Sequence, residues 1–220
     1  MSIIDIDAHP PIERAARNAF FEDLSRLGIG SALGAPLAEG MSERECNLRV
    51  LAEGKGTSLW GHPHCLDTLA GATLITVDAA WLPEVGDILS VAEKQHVPIL
   101  LRHEGEDEIR ALAAAYPILP LIVGGFDSRV GKPAIMAELM KAHKNLYLNL
   151  SGAVWSYNYV MHEWLERLPT DRILFGSAYP LGNPASKLAS LRWELRDTDE
   201  AVAEAILGGN ARTLFGEVKP

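Results

Sequence analysis

The arrangement of short apolar runs between helix-spaced stripes constrains this chain more than any single residue does. Strand character recurs at residues 2–6, 29–36, 57–62, 72–77, 97–102, 118–124, 145–150 and 171–176. Several runs, such as "VPILL", "LPLIV" and "RILFG", are apolar throughout, as parallel strands covered on both faces are. Between them lie stripes with helical spacing: Ala16, Phe20, Leu24 and Leu27; Val85, Ile88, Leu89 and Ala92; Ile109, Leu112, Ala113 and Tyr116; Met136, Leu139 and Met140; Met161, Trp164, Leu165 and Leu168. Ser42 followed by Glu45 reads as a capping box, and Thr198-Asp199-Glu200 as a helix start. Eight strands alternating with helices predict an α/β chain folded as a compact (β/α)8 TIM barrel, one domain over residues 1–220. The competing fold is an open doubly wound sheet. It lacks its usual signature, because Gly28-Ile29-Gly30 is followed by Leu33 where a third glycine belongs, and no P-loop occurs.

Charge and cysteine content narrow the function classes. A net charge of −9 argues against a nucleic-acid or anionic-membrane partner. Two cysteines, Cys46 and Cys65, with no CxxC, fit a reducing compartment and exclude a disulfide framework. No apolar run approaches the roughly 20 residues of a membrane span. Asp5 and Asp7 stand where a signal peptide would carry basic and then apolar residues. The expectation is a cytoplasmic protein with a small-molecule substrate.

The stretch "IIDIDAHPPI" (3–12) places a carboxylate and an imidazole at the end of the first strand. Strand alternation predicts Asp7 and His9 on one face and Ile6 and Ala8 on the other. The stretch resembles the IIDxHxHP opening of the amidohydrolase superfamily, specifically the amidohydrolase-2 branch that includes aminocarboxymuconate-semialdehyde decarboxylase. "RILFGSAYP" (172–180) resembles that branch's RILFGSDYP, and "ILGGNARTLFG" (206–216) its ILGGNAARLFG ending. "VPILLRHEGED" (97–107) and "HKNLYLNLSG" (143–152) are similar to its fifth and seventh strands.

The resemblance implies a distorted TIM barrel with one or two divalent metals at the strand ends. They would be held by an HxH pair of strand one, histidines of strands five and six, and an Asp of strand eight. It also implies a metal-bound water as nucleophile, and pairing of identical chains into a homo-oligomer. This sequence departs from that ligand set. Asp7 stands at the first histidine position and His9 keeps the second; Arg102 and Gly125 take the positions on strands five and six; Ala178 replaces the Asp. The expected centre is therefore a degenerate metal site, with zinc or manganese held weakly by Asp7 and His9 or not at all, since a zinc centre takes about three protein ligands.

Asp7, His9, Arg102 and His103 are the candidate catalytic residues. A guanidinium inside "ILLRHEG" is costly to bury unless paired. A direct ion pair between Asp7 and Arg102 is therefore expected, filling the place of a lost cation. Asn149 and Ser151 are candidate hydrogen-bonding partners. Trp155, Tyr157, Tyr159 and Tyr179 either wall the pocket or cover the core edge. His62 and His64 offer an HxH spacing after strand three, where the resemblance implies no ligand; His96, His143 and His162 read as surface residues. The functional expectation is a hydrolase or decarboxylating lyase acting on a small anionic carbonyl compound. The alternative is a metal-free, non-catalytic barrel that binds a ligand or serves in an assembly.

Overall fold

The computed structural model describes residues 2–37, 40–52, 57–102, 105–124, 133–152 and 165–216. Strands and helices alternate as β1 (Ile3–Asp5), α1 (Arg14–Arg26), β2 (Ile29–Ala32), α2 (Glu43–Ala52), β3 (Thr57–Trp60), β4 (Ala72–Asp78), α3 (Gly86–Gln95), β5 (Ile99–Arg102), α4 (Glu106–Ala115), β6 (Leu121–Gly124), α5 (Pro133–Ala142), β7 (Leu146–Asn149) and β8 (Ile173–Leu174). The chain ends in α6 (Pro184–Glu194), α7 (Glu200–Glu204), a π turn at Ala205–Gly209 and α8 (Asn210–Phe215). Each strand coincides with one of the eight expected runs, β4 running one residue past its run to Asp78.

All ladders are parallel. β3 to β8 form one sheet in sequence order, and β1 pairs with β2. The two sheets meet where Ile6 N donates to Phe175 O (3.0 Å) and His9 N to Tyr179 O (2.9 Å). Among the described residues no ladder joins β2 to β3, so the ring stays open at that seam. Side chains bridge it instead. Trp60 Nε1 donates to Pro36 O (2.7 Å), and Asn47 of α2 holds both the N–H and the C=O of Trp60 at 2.9 Å.

Strand alternation sorts the core into two shells. Ile4, Ile6, Leu33, Leu74, Leu100, Ile122 and Leu174 pack inside the ring. Ile75, Ile99, Leu101, Val123, Leu148 and Phe175 face outward onto Leu24, Ile88, Ile109 and Met136 of the helices. The helical stripes are there because they cover this outer shell. Beyond β1 the alternation fails after Ile6, which joins Ile4 in the inner cluster while Ala8 joins the outer one. The Asp5 carboxylate accepts the Asp7 N–H (3.2 Å), an Asx-type turn that takes the chain out of regular strand geometry.

The end of the barrel opposite the site is sewn by polar side chains. Helix C-termini leave carbonyls without intrahelical partners. Arg172 donates to Met140 O, His143 O and Leu146 O at 2.8–3.1 Å, and Asn145 Nδ2 reaches Tyr116 O at 2.8 Å. Asn210, from the "GGN" stretch, donates to Thr170 O and Ile173 O. Beside it a Cβ on Gly208 would stand 2.7 Å from Ser2 O, so the close approach of the C-terminal segment to β1 requires glycine. The Ser42 cap is present, with its hydroxyl accepting from Glu45 N (3.2 Å), and Asp199 caps α7 through Ala201 N (2.7 Å).

α6 is an element the stripe pattern did not predict. Its buried positions are Pro184, Lys187, Leu188 and Leu191, so a lysine interrupts the apolar face. Among the described residues, no helix is long and apolar enough to cross a membrane.

Candidate functional site

The carboxyl ends of β1, β5, β7 and β8 bring together Asp7, His9, Arg102, Asn149, Ser151 and the 176–178 segment. Asp7 is 2 % exposed and His9 1 %. His9 Nδ1 donates to Ala35 O at 2.7 Å, which turns Nε2 toward Asp7 Oδ1 at 3.2 Å. That contact is close but off-axis, and neither atom has a well-directed hydrogen-bond partner. The Trp60 indole stacks parallel to the imidazole, centroids 5.8 Å apart, and covers its other side.

Asp7 Oδ2 accepts from Asn149 Nδ2 at 3.0 Å. The same amide group donates to Ser151 Oγ (2.8 Å), and Asn149 Oδ1 accepts from Ser151 N (3.2 Å). This packing needs space on β8: a Cβ on Gly176 would stand 2.1 Å from Asn149 Oδ1 and 3.0 Å from Asp7 Cβ. Burial opposes the charge on Asp7. The His9 ring, the Ser151 hydroxyl and the more distant charge of Arg102 outweigh it and hold the carboxyl below its ordinary value. Asp5 behaves in the opposite way. Complete burial pushes its carboxyl up to about 6, although Ser177 N donates to it at 2.9 Å.

The expected direct ion pair between Asp7 and Arg102 is not formed among the described residues. Asn149 and His9 take the two carboxylate oxygens, and Arg102 acts on Asp7 only through its charge. Arg102 is half-buried at the end of β5. Ala178 follows β8 in left-handed geometry (φ 55°). His103 and Gly125 lie outside the described residues, as do His162, Trp155, Tyr157 and Tyr159. Tyr179 packs on Phe20 of α1, centroids 5.1 Å apart, at the core edge. His62 Nδ1 accepts from His64 N (3.2 Å) and so caps the turn at Pro63–Thr68.

Sequence reasoning missed Trp60, the carbonyls of Ala35 and Pro36 after β2, and Lys187. The Lys187 ammonium donates to Gly152 O (2.7 Å) directly behind Ser151, and burial pulls its pKa down to about 8. No local pattern marks any of these groups as part of a site.

Asp7 and His9 are the donors a divalent metal would meet here. Two donors held 3.2 Å apart suit neighbouring ligands on one ion, since bonds of about 2.1 Å at roughly tetrahedral to right angles separate ligand atoms by ~3.0–3.4 Å. The count falls short, because no group of three or more His, Cys, Asp or Glu side chains converges among the described residues. The described donors do not complete a metal centre.

An eight-stranded parallel α/β ring with polar groups gathered at the carboxyl ends of its strands defines a TIM-barrel protein. The amidohydrolase family model matches residues 87–216, more than half of the chain, and the protein belongs to that family. Solved structures share the fold. A TIM-barrel protein from Bordetella bronchiseptica is 17% identical with a TM-score of 0.62, covering 97% of this chain and 98% of that one. Amidohydrolase 2 from Bifidobacterium longum subsp. infantis is 16% identical with a TM-score of 0.67, covering 98% of each chain. A dihydroxybenzoic acid decarboxylase from Polaromonas sp. JS666, solved with bound manganese and the inhibitor 2-nitroresorcinol, is 14% identical with a TM-score of 0.65, covering 97% of this chain and 96% of that one. No curated protein matches this sequence.

Proposed function

We propose that the protein is a hydrolase or decarboxylating lyase that acts on a small anionic carbonyl compound at the carboxyl end of the barrel, with Asp7 and His9 as its acid–base pair. The observation that carries this reading is the 3.2 Å approach of His9 Nε2 to Asp7 Oδ1, with Nδ1 tied to Ala35 O. The tie leaves Nε2 as the ring atom that gains and loses a proton, and the carboxylate stabilises the imidazolium. In hydrolysis the pair takes a proton from the attacking water. In decarboxylation the Nε2 proton replaces the departing carboxylate on carbon, and carbon dioxide leaves. His103 is the proposed second proton carrier. A divalent ion, zinc or manganese, would find only Asp7 and His9 here and would bind weakly; no step above depends on it. The substrate is a small molecule rather than a nucleic acid or a membrane, and identical chains associate.

A second reading, a non-catalytic barrel that binds a ligand or serves in an assembly, draws support from the near-complete burial of Asp7 and His9 and from Ala178 at the place of the family's Asp. A panel of amides, lactones and dihydroxybenzoates separates the two. The enzyme reading expects turnover by the intact protein that is lost in Asp7→Asn and His9→Gln while both variants stay folded. Turnover of no class, or turnover indifferent to both changes, leaves the second reading.

A further inference from the structure

Arg102 has a setting that the acid–base pair does not explain. Leu100 packs in the inner cluster, whereas Ile99 and Leu101 face the helices, so alternation turns Arg102 to the inside of the ring. The β-ladders set it level with Asp78 on β4 and Gly124 on β6. Gly124 adds no side chain beside it.

The carboxylate level with it on β4, and the one across the mouth that feels its charge, both have other partners. Asp7 is held by Asn149 and His9, and Asp78 Oδ1 accepts from Ala80 N at 3.1 Å. Among the described residues no side chain forms an ion pair or hydrogen bond with the guanidinium. A permanent cation half out of water on the inner face is costly unless an anion meets it. Its planar fork of donors matches a carboxylate in two-point contact.

We propose that Arg102 is a specificity-determining residue that anchors the carboxylate of a small ligand at the mouth of the barrel. This rests on the reading of the mouth as the active site and adds what selects the ligand there: a permanently charged guanidinium, which attracts anions and repels metal cations, at a position where the resemblance implies a metal-binding histidine. The anchored carboxylate lies on the β5 side of the ring, with the Asp7–His9 pair on the β1 side, so the ligand spans the mouth between them.

Binding to the intact chain tests this without any need for turnover. Formate, acetate and benzoate are titrated by calorimetry or NMR against formamide, acetamide and benzamide, which keep the shape and lose the charge. The expected result is saturable binding of at least one carboxylate, its amide being more than ten-fold weaker. Arg102→Met should weaken that carboxylate more than ten-fold at an unchanged melting profile, and Arg102→Lys should restore part of the loss, because charge returns without the two-point fork. Carboxylate and amide binding equally, Arg102→Met binding within two-fold of the parent, or no carboxylate binding at all would each overturn the proposal. An inactive protein that binds benzoate through Arg102 sinks only the enzymatic reading; an active one indifferent to Arg102 sinks only the anchor.

Discussion

Truncating Asn149 to Ala removes the amide that joins β7 to β1. Asp7 loses the 3.0 Å bond to one carboxylate oxygen, and Ser151 loses its partners at the hydroxyl and at the backbone N–H. A hydrogen bond to a buried charge is worth about 1.5–3 kcal/mol, and a stranded neutral donor costs about 1 kcal/mol more. His9 and Ser151 still reach the carboxylate, so the expected loss is about 3 kcal/mol. For a chain of this length that lowers the melting temperature by roughly 6–12 °C. Asn149→Asp probes the electrostatics separately. It sets a second carboxylate against Asp7, where both cannot ionise together, and so raises the pKa of one of them. A raised carboxyl leaves stability intact below the unfolded value and removes it as pH rises, so the deficit of this variant should be larger at pH 7 than at pH 5. Urea denaturation across that range reads both effects. A loss below about 1 kcal/mol for Asn149→Ala, or a deficit of Asn149→Asp that does not change with pH, would refute the network as the element that holds Asp7.

Asp5 makes a second pH-dependent contribution. Its carboxyl rises from 3.8 to about 6 on folding, so its stability term is full below the unfolded value and lost as pH rises through 6, amounting to about 3 kcal/mol at neutrality. Asp5→Asn should flatten the stability profile between pH 4 and 6, and an unchanged slope would contradict this. Gly176→Ala should destabilise by about 1–3 kcal/mol through overpacking against Asn149; combined with Asn149→Ala it should cost less than the sum, and simple additivity in denaturation would count against the clash. Elemental analysis of protein purified without chelators should find substoichiometric zinc, manganese or iron. Chelator treatment should leave the melting temperature nearly unchanged; a stoichiometric ion whose removal collapses the fold would show that residues outside the described set complete the centre.

The ring of strands was legible in the sequence because strand and helix periodicity are local: a residue's neighbours at two, three or four positions decide which face it shares. All eight runs became strands, most of them shortened at their ends, and four stripes became α1, α3, α4 and α5; Met161 and Trp164 of the fifth lie outside the described residues. The run 29–36 ends as a strand at Ala32; Leu33 still bonds the first segment through Asp5 O and Ala8 N, and the carbonyls of Ala35 and Pro36 receive side chains, His9 and Trp60, instead of a neighbouring strand. α6 escaped notice because Lys187 takes an inward position to reach Gly152, a need that arises only once β7 and α6 are neighbours. The same division holds at the site. Asp7 and His9 stand out from their place at a strand end and from the motif around them, and Asn149 and Ser151 from ending strand seven. That Asp7 would bond Asn149, 142 residues away, rather than pair with Arg102 was settled by the docking of β1 beside β8, which gives the Asn149 amide the space left by Gly176. The sequence by itself determined which segments alternate and where their polar ends fall; which polar ends meet is a property of packing between strands far apart in the chain, and only the tertiary structure decided it.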